Sequence, residues 1–174
     1  MRAFIALEIS EKIREILFAI ANSFYKQNLF SGKITEKENI HLTLKFLGEI
    51  DDEAVELIKE RLRKIKEKKF SAELKELGVF NENFVRIIWI CLAGCDNLQK
   101  EIDDKLTDLF EKEKRFMGHV TIARVKECDR EKLLEEIKKI RIDNKFDVEK
   151  FVLFSSELKK EGPVYSKIEE YELE

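Results

Sequence analysis

The chain has 174 residues, of which 44% are apolar and 40% are charged, and its formal net charge is -3. This composition is that of a folded globular protein rather than a disordered one, and the length suits one domain with a substantial core. The slightly acidic charge excludes a protein that is basic over its whole body, as a nonspecific nucleic-acid binder would be, but it is compatible with a local basic cleft.

Hydrophobic periodicity predicts the same order of elements in each half of the chain. Alternation with period two indicates strands, and apolar stripes with a spacing of three or four residues indicate helices. The first half is predicted to contain a strand, a helix, a strand, a helix and a strand at 3–7, 11–27, 41–46, 52–67 and 71–80. The second half is predicted to repeat this order at 85–92, 97–112, 119–125, 130–140 and 147–155. A final extended segment is predicted at 164–173.

Capping residues stand before the predicted helices. Ser10, Asp51 and Asp129 can each serve as an N-cap, and Asp96 with Gln99 has the spacing of a capping box. These starts favour two β-α-β-α-β halves, roughly 1–82 and 83–174, within a single domain that spans 1–174. Two such halves predict a bilobal α+β fold with pseudo-two-fold symmetry, in which two antiparallel sheets line a central cleft and the helices lie outside.

The cysteines and the N-terminal segment indicate the cellular compartment in which the protein is expected. Cys91, Cys95 and Cys128 match no disulfide or zinc framework, which favours reduced thiols in a cytoplasmic protein. The first ten residues are interrupted by Glu8 and lack a long apolar core, so the pattern predicts neither a signal peptide nor a membrane span.

The chain has only two histidines, His41 and His119, and both stand in predicted strands of the same form. The two motifs are His-Leu-Thr-Leu at 41–44 and His-Val-Thr-Ile at 119–122. Because residues i and i+2 of a strand face the same side, each strand would present an imidazole together with the hydroxyl of Thr43 or Thr121. A pseudo-two-fold axis would bring the two strands to equivalent places on either side of one groove.

Two imidazoles and two hydroxyls in one groove suit phosphodiester chemistry. One imidazole can take a proton from the attacking nucleophile while the other gives one to the leaving oxygen, and the hydroxyls can bind nonbridging oxygens. For a single histidine on a strand a structural role is the commoner alternative, and a zinc site lacks a third ligand with suitable spacing. We therefore predict catalysis by His41 and His119, phosphate binding by Thr43 and Thr121, and no metal or other cofactor.

The histidine motifs belong to longer segments that together span the chain, namely MRAFIALEI, ENIHLTLKFLGEID, VRIIWI, GHVTIARVK and SSELKKEGPVYSKIEEYEL. In these segments the chain resembles the RNA 2',3'-cyclic phosphodiesterases, also called 2'-5' RNA ligases, of the two-histidine phosphoesterase superfamily. One departure is Gly118, where the family often has proline before the second histidine. The resemblance implies a bilobal α+β fold with a central cleft and metal-independent opening of RNA 2',3'-cyclic phosphates to 2'-phosphates. It also implies that the reverse reaction joins such an end to a 5'-hydroxyl through a 2'-5' linkage.

Further residues are candidates for contact with RNA. Phe46 falls on the apolar face of a regular strand, so it either packs in the core or, as the resemblance suggests, stacks on a base. Arg124 falls on the face opposite His119, so it meets phosphate only through a bulge or a strand end, or else forms a surface ion pair. Arg86 and Tyr165 stand in segments that match the family, and each either touches RNA or is structural. The candidates for a basic rim are Lys45, Arg115, Lys126, Lys159 and Lys160.

The predicted partner is RNA with a 2',3'-cyclic phosphate end, with tRNA fragments among the RNAs considered. No membrane partner is predicted, and the chain is expected to act as a monomer. Two alternatives stay open: a phosphodiesterase for other 2'-linked nucleotides such as 2'-5' oligoadenylate, and a noncatalytic module that holds an RNA end with its histidines. Turnover of a cyclic-ended substrate in the presence of a chelator separates the catalytic and noncatalytic functions.

Overall fold

The computed structural model describes residues 1–160 and 162–174, and this part of the chain forms an α+β fold, as predicted. Its helices are α1 (Glu11–Lys26), α2 (Asp52–Leu62), α3 (Asp96–Lys105) and α4 (Arg130–Lys139). Its strands are β1 (Arg2–Glu8), β2 (Phe30–Ile34), β3 (His41–Glu49), β4 (Phe70–Val79), β5 (Ile87–Ala93), β6 (His119–Cys128), β7 (Lys145–Val148), β8 (Lys150–Leu158) and β9 (Pro163–Glu172). None of the helices in the described residues has both the length and the apolar character needed to cross a membrane.

The strands form one continuous antiparallel sheet in the order β7-β4-β5-β6-β3-β1-β8-β9, with β2 also paired to β6. The contact between β6 and β3 is narrow, since its register consists of a single pair, Leu42 with Val120. The two predicted sheets are therefore the two parts of one sheet, joined at this pair. Each part draws strands from both halves of the chain, because β1 pairs with β8 and β4 pairs with β7.

Helices cover one face of the sheet and leave the other face open. α1 packs against β2 and β6, α3 packs against β3, and α4 packs against β4. The apolar stripe of α1, which includes Leu17, Ala21 and Phe24, is buried in the same core cluster as Leu42 of β3 and Val120 of β6. The alternate residues of these two strands consequently face away from the helices.

Two of the predicted N-caps make side-chain cap bonds in the structure, and two do not. The carboxylates of Asp51 and Asp129 each accept a backbone N–H in the first turn of their helix, at 2.8 and 3.3 Å. Ser10 occupies the N-cap position of α1 without a side-chain cap bond. The capping box at α3 is wrong: the N-cap residue is Cys95, and the Gln99 side chain donates to a buried carboxylate instead.

Several boundaries differ from the prediction for physical reasons. The strand β2 was missed because only its first residue, Phe30, is buried, so alternation is absent and pairing with β6 holds the strand. The segment predicted at 147–155 divides into β7 and β8, which pair with β4 and β1. The helix predicted to reach residue 112 ends at Lys105, and backbone groups of Glu111 and Glu113 bond to buried side chains instead of continuing it.

Candidate active site

The two histidine strands share a departure from regular alternation. In β3 and in β6 the first seven residues are half-buried, buried, half-buried, buried, buried, exposed and buried. The pairing register shifts at the matching place in each strand, just after Thr43 in β3 and just after Thr121 in β6. Each strand therefore contains a β-bulge that moves the following side chains to the opposite face.

The bulges relocate three of the side chains considered above. Phe46 is 67% exposed, so the core position expected from regular alternation is wrong. Arg124 takes the equivalent position in β6 and lies on the same face as His119, as a bulge permits. Lys45 turns inward and is only 2% exposed, so it is not a rim residue.

A cleft with a cavity of about 770 Å³ runs along the open face of the sheet. Most of the site residues predicted from the sequence line this cavity, namely His41, Thr43, Phe46, Arg115, His119, Thr121, Arg124, Lys159, Lys160 and Tyr165, whereas Arg86 and Lys126 do not. Arg86 instead has its guanidinium 4.1 Å from the centre of the Phe84 ring and donates to the Lys126 carbonyl at 3.0 Å.

The His41 ring is held at both nitrogens. Nδ1 lies 2.7 Å from the Asn39 carbonyl oxygen, which can only accept, so Nδ1 carries a proton. Nε2 lies 3.0 Å from Thr43 Oγ1. Burial lowers the pKa of His41, the hydrogen bond to Asn39 opposes that shift, and the neighbouring His119 lowers the pKa further. The Asn39 side chain in turn donates to the Pro163 carbonyl at 3.0 Å, which ties the start of β9 to this histidine.

His119 is oriented by the same device. Its Nδ1 lies 2.8 Å from the carbonyl oxygen of Met117, again two residues before the histidine. Each imidazole is also nearly perpendicular to a neighbouring aromatic ring: His119 to Phe80 at a centroid distance of 5.1 Å and an angle of 89°, and His41 to Tyr165 at 5.2 Å and 87°. Both rings thus use Nδ1 for the backbone, and Nε2 of His41 contacts the Thr43 hydroxyl, a group that can turn to another partner.

The cleft is basic although the chain as a whole is slightly acidic. Among its described lining residues the acidic ones are Glu36 and Glu113, while the basic ones, apart from the buried and ion-paired Lys45, are Arg2, Lys33, Arg115, Arg124, Lys159 and Lys160. The ammonium of Lys33 pairs with Glu36 at 2.7 Å. This excess of cations suits a polyanionic ligand.

Sequence reasoning missed several parts of the site. Phe80 follows directly after β4. No local sequence pattern marks it as a site residue, because it faces the cleft only through the way distant strands are arranged. Phe4 falls within the first predicted strand and was not named as a site residue, yet its ring lies 5.1 Å from that of His41. Asn39 could have been suspected, since it stands two residues before a candidate catalytic histidine. Across residues 1–160 and 162–174, no cluster of three or more histidine, cysteine or acidic side chains is arranged to hold a metal ion.

A duplicated α+β fold with a His-apolar-Thr strand on each side of one cleft defines a two-histidine phosphoesterase. The chain belongs to the LigT-like phosphoesterase family, whose sequence model matches residues 7–89 and 93–165. A protein of Methanocaldococcus jannaschii named RNA 2',3'-cyclic phosphodiesterase is 38% identical to it over 178 residues, which cover 98% of this chain and 100% of that protein. A protein of Thermotoga maritima with the same name is 33% identical over 183 residues, covering 100% and 96%. The crystal structure of the Thermus thermophilus protein TT0787 has a TM-score of 0.83 at 26% identity and covers 99% of this chain and 98% of its own.

Proposed function

We propose that this chain hydrolyses RNA 2',3'-cyclic phosphate ends to 2'-phosphates by acid-base catalysis with His41 and His119 and without a metal ion. The observation that carries the proposal is that both imidazoles line one basic cleft with Nδ1 bound to a backbone carbonyl, so that each presents Nε2. The names of the relatives in Methanocaldococcus jannaschii and Thermotoga maritima support the choice of substrate.

The proposed reaction is an in-line attack of water on phosphorus. One histidine, in its neutral form, takes a proton from the water as the new P–O bond forms. The other, in its protonated form, gives a proton to the 3'-oxygen as the P–O3' bond breaks. The product carries a 2'-phosphate and a 3'-hydroxyl, and proton exchange with solvent restores the two imidazoles.

The threonines are proposed to bind the nonbridging oxygens of the phosphate. The Thr43 hydroxyl lies 3.0 Å from Nε2 of His41. When it turns to donate to a phosphate oxygen, Nε2 becomes available for proton transfer. Thr121 occupies the equivalent place beside His119, two residues further along β6. The hydroxyls would bind more strongly as negative charge builds on the phosphate oxygens in the transition state.

The same pair of histidines supports a ligation reaction. A 5'-hydroxyl in place of water attacks the cyclic phosphate, and loss of the 3'-oxygen gives a 2'-5' linkage. The cyclic phosphodiester is itself the activated group, so the step needs no ATP. We propose this ligation as a second activity of the same site.

The experiment that tests the proposed function uses a cyclic-phosphate-ended oligonucleotide in excess EDTA. We expect the parent protein to convert it to the 2'-phosphate, and His41→Ala and His119→Ala each to lower turnover by about 10² or more, the scale of a lost acid-base catalyst. Circular dichroism must show that each variant is folded. Turnover close to that of the parent in either folded variant would remove the two-histidine mechanism. Binding without turnover by the parent would identify an RNA-end-binding module instead.

A further inference from the structure

We propose that Asn39 is a positioning residue for His41, and that it acts by tying the turn before β3 to the first residue of β9. The inference deepens the proposed function and rests on it for the expected effect on turnover, because it says what holds one of the two proton carriers in place. It depends on the hydrogen bonds that join Asn39, His41 and Pro163.

Asn39 is held by hydrogen bonds of both its backbone and its side chain. Its backbone N–H donates to the Glu36 carbonyl at 2.8 Å, and its own carbonyl accepts from Nδ1 of His41 at 2.7 Å. Its side-chain nitrogen donates to the Pro163 carbonyl at 3.0 Å. Burial raises the pKa of the Glu36 carboxyl, but hydrogen bonds from Lys33 and from the Asn39 side chain outweigh it. Both side-chain partners of Asn39 are accepting oxygens, so its amide serves as a donor.

The bond to Pro163 joins two strands that are not neighbours in the sheet. β1 and β8 lie between β3 and β9, so this bond spans two strands and fastens a curled part of the sheet at one end. The backbone N–H groups of Asn39 and Ile40 donate to carbonyls within the turn at 36–40. Those bonds fix the shape of the turn but not its position, whereas the Asn39 side chain fixes its position against β9.

The same part of β9 also contacts the imidazole directly. Tyr165 stands two residues after Pro163, and its ring is nearly perpendicular to that of His41 at a centroid distance of 5.2 Å. β9 therefore reaches His41 twice, once through Tyr165 and once through Asn39. A shift of β9 against β3 would disturb both contacts together.

His41 needs such a restraint because open space adjoins it on more than one side. A second cavity of about 460 Å³ lies next to the cleft. The residues that line both cavities include Asn39, His41, Pro163 and Tyr165. An imidazole that borders two cavities is held by its hydrogen bonds as well as by packing, since close packing on all sides is what otherwise fixes a ring.

His119 uses the same carbonyl device, but the sheet itself holds the segment before it. The Gly118 carbonyl accepts from the Leu92 N–H of β5 at 2.9 Å. The main chain of β5 thus does for His119 what the Asn39 side chain does for His41. Loss of the Asn39 amide should consequently affect one histidine and spare the other.

The kinetic test compares Asn39→Ala and Asn39→Asp on a cyclic-phosphate-ended oligonucleotide. Aspartate keeps the shape of asparagine but places a carboxylate opposite two accepting oxygens, so it separates the donor from the space that the side chain fills. We expect kcat to fall about 10- to 100-fold in both variants with little change in KM, as a misplaced catalytic group would cause. The control is Asn81→Ala, which removes an asparagine oxygen that accepts two backbone N–H groups outside the cleft. It should match the parent.

NMR of the imidazole nitrogens, recorded where both rings are neutral and assigned with His41→Ala, reports on position without any need for turnover. In the parent we expect the proton at Nδ1 of both rings, because each faces a carbonyl. In the Asn39 variants His41 should become a mixture of tautomers while His119 keeps its own. This result supports the positioning role even if the parent turns over no substrate, which would refute the proposed activity alone.

Three results would overturn the proposal. The first is a parent-like kcat or an unchanged His41 tautomer in Asn39→Ala. The second is a parent-like kcat in Asn39→Asp beside a low one in Asn39→Ala, which would show that Asn39 only fills space. The third is an equal change of tautomer in both histidines, or a loss of kcat that matches a loss of folded protein in circular dichroism, since either would identify a general structural role.

Discussion

Replacement of Lys45 by methionine should strongly destabilise the protein, although Lys45 takes no part in the proposed chemistry. Lys45, Gln99 and Asp103 are buried polar side chains, exposed by 2%, 5% and 4%, and they form one network. The Lys45 ammonium lies 2.5 Å from an Asp103 oxygen and 2.7 Å from the Glu111 carbonyl. The other Asp103 oxygen accepts from Gln99 at 2.9 Å and from the backbone N–H of Glu113 at 2.8 Å. The network thereby fastens β3 and α3 to the segment that leads into His119.

The size of the expected destabilisation follows from the Asp103 carboxylate, which stays buried without its cation. Methionine is close in length to lysine, so Lys45→Met leaves little empty space but removes the cation beside a buried carboxylate. Removal of one partner of a buried ion pair costs about 3–5 kcal/mol. For a chain of this length each kcal/mol corresponds to about 2–4 °C, so we expect the melting temperature to fall by about 6–20 °C. Lys64→Met, which breaks an exposed pair with Glu60, is the control and should leave the melting temperature nearly unchanged.

The pH dependence gives a second, independent check. Burial alone would raise the pKa of Asp103, but the hydrogen bonds from Lys45, Glu113 and Gln99 outweigh it and hold the pKa below its usual value of 3.8. The stability that this carboxylate contributes is therefore present above its unfolded pKa and is lost as the pH falls through the folded one. Lys45→Met removes the strongest of these bonds, so the variant loses less on acidification. The difference in unfolding free energy between parent and variant should narrow as the pH falls from the Asp103 pKa of the variant, which burial without the cation raises, to the lowered Asp103 pKa of the parent.

The assay is urea denaturation followed by circular dichroism at neutral and at acid pH, analysed by linear extrapolation. A loss below about 1 kcal/mol for Lys45→Met at neutral pH, no larger than for an exposed ion pair, would refute the view that the pair locks this segment in place. A difference between parent and variant that widens on acidification would refute the assigned charge state of Asp103.

Two further predictions concern the groups that face the substrate. Thr43→Val and Thr121→Val each keep the β-branched shape but remove a hydrogen-bond donor. A hydrogen bond to a charged acceptor contributes about 1.5–3 kcal/mol, so kcat/KM should fall roughly 10- to 150-fold in steady-state hydrolysis of a cyclic-phosphate-ended oligonucleotide. Rates equal to those of the parent in both variants would show that the threonines only help to form the strands. In the free protein His41 should titrate below 6.5 and inorganic phosphate should raise its pKa, because a bound anion favours the charged imidazole. NMR of the imidazole nitrogens, assigned with His41→Ala and His119→Ala, measures the His41 pKa with and without phosphate. A His41 pKa at or above 6.5 without phosphate would contradict the prediction that burial lowers it.

The sequence allowed most of the element order, the helix starts at Asp51 and Asp129, and the equivalence of the two histidine strands to be predicted. These features depend on local periodicity, capping chemistry and repetition, all of which can be read from a single chain. The cleft position of Phe46 could not be predicted in the same way. A bulge arises where two strands with different residue counts pair, and the partner of β3 is not visible in the local pattern.

The buried position of Lys45 was missed for the same reason. Lysine in a strand normally indicates a solvated face, and only the carboxylate of Asp103, 58 residues further along the chain, makes its burial favourable. Phe80 and β2 are likewise defined by distant partners. The residues that sequence reasoning misplaced are thus those whose environment is supplied by another element.

The exchange of strands between the halves has a consequence for how the protein is made. β1, which is synthesised before the other described strands, is flanked in the finished sheet by β3 and by β8, with Phe4 opposite Phe154. β4 likewise pairs with β5 on one edge and with β7 on the other, and both of these strands are synthesised after it. During synthesis neither wall of the cleft can be completed from the N-terminal half alone, so strands of that half that have already paired keep an unpaired edge until the second half is made. The two histidines therefore come together late, as a product of the whole chain rather than of either half.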